Sequence, residues 1–246
     1  SGRLLRYAYR NTPLFGSNFD YTRFVLLAQQ RTGSTMLGTC IKSHPQAHCF
    51  SELLNRKEPM FFSDGLRNSD PILKAFRNRF PSAFINEFIF GGYNDRLKAI
   101  GFQLFPEHVR NTRFTNIWQA LVADPSVSFI HLKRRNKLAA EISRQKAIQT
   151  GEWSRSGNSR SGTGKLQLDP QTVVRGMLER EKGEAFFDAS LRGARSIAVT
   201  YEDVLTQMDN EMSKLQAFLG VEETALATPL ERQAPGELWE QLDDPE

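Results

Sequence analysis

Cysteine is scarce in this chain: Cys40 and Cys49 are the only two in 246 residues. That rules out a scaffold built on disulfides, and neither thiol lies in a CxxC or His-rich setting that would point to zinc or redox work. Long apolar runs are missing too, and none reaches the roughly 18 residues a membrane-spanning helix needs. Ser1 to Arg10 alternates basic and aromatic residues and lacks the apolar stretch of a secretory signal. Nor does one sign of charge prevail. The 32 Lys and Arg face 28 Asp and Glu, a net +4 that suits an anionic ligand without requiring one. No sustained basic run and no recognition-module signature supports nucleic acid as a partner. The expectation is a cytoplasmic protein with reduced thiols, no membrane span and no nucleic-acid partner.

What is present is ordinary globular material, 39% hydrophobic, enough for a proper core. Short apolar runs alternate with helical patterns. Arg23–Gln29, Ala47–Phe50, Ala99–Phe105, Val127–Lys133 and Arg195–Thr200 read as strands. Ser34–Ser43, Phe114–Val122, Lys137–Gln149 and Asp203–Leu219 read as helices, the last closed by Gly220. A further helix starts at Asp169-Pro170, an N-cap acid before a proline, and runs to about Leu191. In Lys137–Gln149 the residues Leu138, Ile142 and Ile148 are expected to form the buried face. The aromatic-rich stretch from Arg56 to Asn94 reads as short helices and loops, and Ser154–Lys165 as a mobile surface loop. The alternation implies one α/β domain over residues 1–246, its core spanning about 23–220, with a mainly parallel sheet.

Two constellations carry chemistry. In the first, a strand ends in Gln29-Gln30-Arg31-Thr32-Gly33-Ser34-Thr35-Met36-Leu37 and a helix begins. Such a junction aims backbone N–H groups and the positive end of the helix dipole at one spot, where an anion fits. Gly33 permits close approach, Ser34 and Thr35 add hydroxyls, and Arg31 adds a permanent charge. The motif is not the triphosphatase loop, which needs G-x-x-x-x-G-K-[ST] with a lysine and a metal-binding hydroxyl. No lysine follows Gly33, and the cation comes before it. In the second constellation, Arg135 lies just past the carboxyl end of a strand, where open α/β sheets bind ligands. Ser143 follows eight residues on, about two helical turns later, so the pair could meet a second phosphate. Taken alone, that pair reads rather as a solvated cation and a neutral helix residue.

Together the two constellations resemble the sulfotransferases that use 3′-phosphoadenosine-5′-phosphosulfate (PAPS). Gln30 to Thr35 is similar to that family's 5′-phosphosulfate loop, with Met36 continuing it, and Arg135 through Ser143 to its 3′-phosphate motif. Tyr201-Glu202-Asp203-Val204, followed by Phe218-Leu219-Gly220-Val221, resembles the stretch after its late strand. Arg134–Ala139 and Gln149–Trp153 look like the bacterial carbohydrate branch of trehalose and nodulation-factor type. The resemblance implies a P-loop-type fold and PAPS as donor. It also implies adenosine 3′,5′-bisphosphate (PAP) as product, a carbohydrate or other small hydroxylated acceptor, and no metal. Arg31 departs from the lysine that many members carry there, and the family's C-terminal nucleotide loop has no clear counterpart. A P-loop nucleotide kinase and a non-catalytic nucleotide-binding module are the alternatives.

Sulfuryl transfer needs a cation on the leaving phosphate and a base for the acceptor hydroxyl. Arg31 suits the first task. For the second, Glu52 follows the second strand, and the resembling bacterial branch uses a glutamate in this part of the chain. His108, after the Ala99–Phe105 strand, is the alternative, because other sulfotransferases use a histidine. His44, His48 and His131 read as structural. Trp118 and Trp153 read as core by default, with the acceptor or nucleotide pocket as the other place for Trp153.

Overall fold

β-Branched and aromatic runs bounded by turn residues become the strands of a single five-stranded sheet. The computed structural model describes residues 18–55, 71–151, 153 and 166–227. The strands are β1 (Thr22–Leu27), β2 (Ala47–Phe50), β3 (Ala99–Leu104), β4 (Val127–Lys133) and β5 (Ser196–Thr200). Their order is β2-β3-β1-β4-β5, and every pairing is parallel. This is the expected α/β architecture of P-loop type. Each strand lies within two residues of the span expected from its apolar run. Ser154–Lys165 and the first part of the aromatic-rich stretch lie outside the described residues.

Along β1, side chains alternate between two cores, as a pleated strand buried on both faces requires. Phe24 and Leu26 join Leu37, Cys40 and Ile41 of α1 (Ser34–Ser43) and Met212, Leu215 and Leu219 of α8 (Met208–Leu219). Val25 and Leu27 join the opposite core, with Ile117, Trp118 and Leu121 of α4 (Thr115–Ala123). That core also holds Phe187 of α6 (Pro170–Ser190) and Phe84, Ile85 and Ile89 of a π-helical segment, Phe84–Ile89. α2 (Pro71–Arg79) leads into this segment, so the later part of the aromatic-rich stretch does form short helices. α3 (Pro106–Val109) is a single turn after β3.

Two helices differ from expectation. In α5 (Lys137–Thr150), Leu138 and Ile148 are exposed, and the buried face is Ala139, Ala140, Glu141, Ile142 and Ala147. Small residues admit α6 at close range, and the buried Glu141 is paired there with Arg180. The helix expected over Asp203–Leu219 is two pieces, α7 (Tyr201–Thr206) and α8, parted at Gln207, whose φ of −138° is not helical. Trp118 is buried as expected, but Trp153 is 48% exposed.

β1 lies in the middle of the sheet, and the chain builds β2 and β3 on one side of it before crossing to β4 and β5 on the other. The carboxyl end of β1 is therefore a topological switch point, the crevice where open α/β sheets hold ligands.

Candidate functional site

The loop leaving β1 reaches that crevice. Thr32 secures it by donating its hydroxyl to the Gln29 carbonyl at 2.7 Å. Arg31 (φ 65°) and Gly33 (φ 86°) both take left-handed backbone, turning the chain sharply into α1. No side chain caps α1, no acid sits in its first turn, and Leu37 donates back to the Gly33 carbonyl. The N–H groups of its first turn lie outside the helical ladder and point toward the crevice, with the helix dipole behind them. Gly33 is required twice over. Besides its positive φ, a Cβ there would come within 2.6 Å of the Tyr201 ring.

Arg31 crosses from this loop to the helix after β4. Its Nε donates to the Ser143 hydroxyl at 2.9 Å, and an Nη donates to the Trp153 carbonyl. Burial first, and then the Arg134 charge, push its guanidinium below the ordinary arginine range. Arg134 lies over the Tyr201 ring, 4.6 Å from its centroid, and donates to the Arg31 carbonyl at 2.9 Å. Ser34 is buried and Thr35 exposed, with Met36 packed against the core between them. Gln30 offers its carbonyl to Arg180 at 2.8 Å. The loop after β1 and Ser143 are thus brought together.

Arg135 and Ser143 engage different partners. Arg135 forks onto the Asp203 carboxylate at 2.7 and 3.2 Å, and its side chain is 60% exposed. Glu202 accepts the amides of Arg135 and Asn136 at 3.0 and 3.1 Å. The stretch Tyr201-Glu202-Asp203, singled out only by its resemblance, therefore divides its work. Its ring covers Gly33, one carboxylate holds the β4–α5 turn, and the other holds Arg135. Reading the sequence missed Glu202 and Asp203. The available signal was a pair of acids after a strand, beside a parallel strand ending in Lys133-Arg134-Arg135.

Glu52 and His108 turn out to be neighbours. β2 and β3 pair in parallel, Phe50 beside Phe102, so the turns that follow them adjoin. His108 Nε2 lies 3.4 Å from Glu52 Oε2, with the histidine side chain 4% and the glutamate 16% exposed. Arg77 of α2, fully buried, donates to the carbonyls of Leu53 and Asn55 at 3.0 and 2.8 Å and so holds the Glu52 turn. Its burial, with Arg113 nearby, pushes that guanidinium down to about 10. In the sheet, β2 is two strands from β1, roughly 10 Å at the usual spacing.

The other three histidines are structural, as expected. His44 Nε2 meets the Glu222 carbonyl at 2.7 Å, and His48 is edge-on to Phe50. His131 is buried and lies 3.1 Å from Asp188. Among the described residues no helix is long and apolar enough to cross a membrane.

Comparison with known proteins bears on the fold and the family. No curated protein matches the sequence. Among solved structures, a sulfotransferase from Alicyclobacillus acidocaldarius is 14% identical, with 86% of each chain covered and a TM-score of 0.50. Mouse sulfotransferase SULT7A1, complexed with PAP, is 13% identical over 91% of this chain and 65% of that one, TM-score 0.48. The sulfotransferase domain of the Synechococcus PCC 7002 olefin synthase is 14% identical over 85% and 76%, TM-score 0.43. Only the first of these bears on the argument, and it bears on the fold. The sequence itself matches the family model described as "Sulfotransferase family" over residues 24–225. That span takes in the β1 loop, Glu52, His108, the β4–α5 turn and Tyr201 to Asp203, and the chain belongs to the sulfotransferase family.

Proposed function

We propose that the protein transfers a sulfuryl group from PAPS to a hydroxyl of a carbohydrate or another small metabolite, releasing PAP. The observation that carries this reading is the 2.9 Å bond from Arg31 to Ser143. It joins an uncapped helix N-terminus, suited to a 5′-phosphosulfate, to the helix that carries the expected 3′-phosphate group. The donor set fits a nucleotide with anionic groups at both its 5′ and its 3′ position. It offers backbone amides at Ser34 to Met36, hydroxyls at Ser34, Thr35 and Ser143, and the guanidinium groups of Arg31, Arg134 and Arg135.

In the reaction the acceptor oxygen bonds to sulfur while the bond from sulfur to the 5′-phosphate oxygen breaks. Charge grows on that phosphate, where Arg31 and the α1 N-terminus stabilise it. Glu52 takes the acceptor proton, and Arg135 exchanges Asp203 for the 3′-phosphate. The carbohydrate acceptor rests on the likeness of Arg134–Ala139 and Gln149–Trp153 to the bacterial carbohydrate branch. A cytoplasmic setting and a single domain over 1–246 remain part of the same proposal. A kinase is disfavoured because Ser34, not lysine, follows Gly33.

Incubating the protein with sulfur-labelled PAPS and a panel of sugars and simple alcohols tests the reading. Label transfer to an alcohol, with no phosphoryl transfer from ATP, is expected. Tight PAP binding without any transfer would make the protein a nucleotide-binding module.

A further inference from the structure

Glu52 and His108 stand as rival bases in the sequence, yet the fold places them side by side. We propose that they form one acid–base unit, in which Glu52 is the base and His108 is a positioning residue that orients its carboxylate. This rests on the sulfotransferase reading above.

The hydrogen bonds around the pair assign the roles. His108 Nδ1 accepts the Phe105 backbone N–H at 3.1 Å. A ring nitrogen that accepts a hydrogen bond carries no proton, so the neutral imidazole holds its hydrogen on Nε2. Nε2 is the ring nitrogen nearer the carboxylate, 3.4 Å from Glu52 Oε2. The ring has little freedom to turn. It stacks on Phe105 with centroids 5.1 Å apart, and its own carbonyl accepts the Thr112 hydroxyl at 2.6 Å. Neither ring nitrogen then offers a lone pair to an alcohol, one being occupied and the other protonated.

The carboxylate is held on one side only. Oε2 receives the Asn55 side-chain amide at 2.9 Å and faces the imidazole, whereas Oε1 has no bond to any described residue. Oε1 is the oxygen offered to the acceptor. As the acceptor oxygen attacks sulfur, its proton passes to Oε1, the sulfur–phosphate bond breaks, and the proton leaves to solvent after product release. His108 keeps its Nε2–H throughout.

A double-mutant comparison tests the unit, with kcat, KM, PAP binding by calorimetry and Tm measured for each variant. His108→Ala is expected to lower kcat about tenfold, the scale of one lost polar contact, with PAP affinity near wild type and a lowered Tm, because a buried ring and the partner of the Phe105 N–H are removed. His108→Gln, whose amide nitrogen approaches the place of Nε2, recovers most of the loss, and His108→Asn does not. Glu52→Gln is far slower than either, and Glu52→Gln with His108→Ala is no slower than Glu52→Gln alone. Losses that multiply in the double variant would overturn the unit. So would a nearly dead His108→Gln beside an active Glu52→Gln, or a His108→Ala variant that loses only Tm and PAP affinity. The tautomer is read without turnover from nitrogen-15 spectra of the labelled imidazoles. An Nε2–H resonance for His108 is expected, and an Nδ1–H form would sink the proposal even if the protein transfers sulfate. Absence of transfer by the wild-type protein, with the Nε2–H tautomer present, would fault the sulfotransferase reading instead.

Discussion

Arg31 occupies a left-handed backbone position, bonds to Ser143 and Trp153, and sits next to a second guanidinium. In the proposed reaction this residue meets the negative charge of the donor. Because that charge grows as the leaving phosphate departs, its interaction with Arg31 is strongest in the transition state. Arg31→Ala is expected to lower kcat by more than it raises KM for the donor in steady-state kinetics. An unchanged kcat with a higher KM would leave Arg31 as a binding residue. Ser143 and Arg135 are expected to act on binding. Ser143→Ala should weaken PAP by roughly 1.5–3 kcal/mol, the value of a charge-assisted hydrogen bond, and Arg135→Ala should weaken it in the same direction. Adenosine 5′-monophosphate, which has no 3′ group, should be little affected in the same calorimeter. Equal losses for both nucleotides would remove the 3′ assignment. Arg31 and Ser143 were legible because a loop motif and a spacing of eight are local patterns. Asp203 was not, because its bond to Arg135 spans 68 residues of chain. His131 makes a different kind of claim. Burial, more than the nearby Lys133, holds it from 6.5 down to about 4, so the folded protein keeps it neutral where the unfolded chain protonates it. Stability should therefore fall as pH drops from 6.5 toward 4, by up to about 3 kcal/mol. His131→Gln should flatten that part of a denaturation-versus-pH series.

The pairing of α5 with α6 shows where periodicity misled. Leu138 and Ile148 look like the inner face of α5 along with Ile142, but Glu141 and three alanines join Ile142 there instead. Glu141 is fully buried against Arg180 at 3.0 Å, with Arg144 and Gln145 completing its bonds. Gly176 of α6 allows this, since a Cβ there would fall 2.2 Å from the Glu141 carboxyl carbon. Arg180 continues to the Gln30 carbonyl, and Gln29 answers by donating to the Arg180 carbonyl at 2.7 Å. The helix pair therefore sets the height of the phosphate loop. A buried ion pair reads on a sequence as two surface charges, which is why the pattern gave no warning. Removing one partner of a buried pair typically costs about 3–5 kcal/mol, and less is expected here because Arg144 and Gln145 still bond Glu141. Arg180→Met is expected to lower the unfolding free energy measurably and to weaken PAP as well. Adding Glu141→Leu should restore part of the stability but not the PAP affinity, because the tie to Gln30 stays broken.

Across the whole molecule, the strands were legible because parallel strands buried on both faces are short, apolar and punctuated by turn residues, as Val127–Lys133 illustrates. What the sequence could not show was which strands adjoin. That adjacency turned Glu52 and His108 from alternatives into neighbours. It also bears on how the protein reaches this state. β1 has no partner near it in the chain: its register pairs Thr22 with Ala99 and Arg23 with Val127. The loop it carries cannot be framed until both distant strands have docked, and closing such long connections is the slow part of folding. PAP then has nothing to bind until folding is nearly over. In refolding experiments PAP should leave the folding rate unchanged and slow unfolding, while raising stability by about 2.7 kcal/mol at a hundred times its Kd. A folding rate that rises with PAP concentration would mean that the phosphate loop is assembled early, before the centre of the sheet has closed around it.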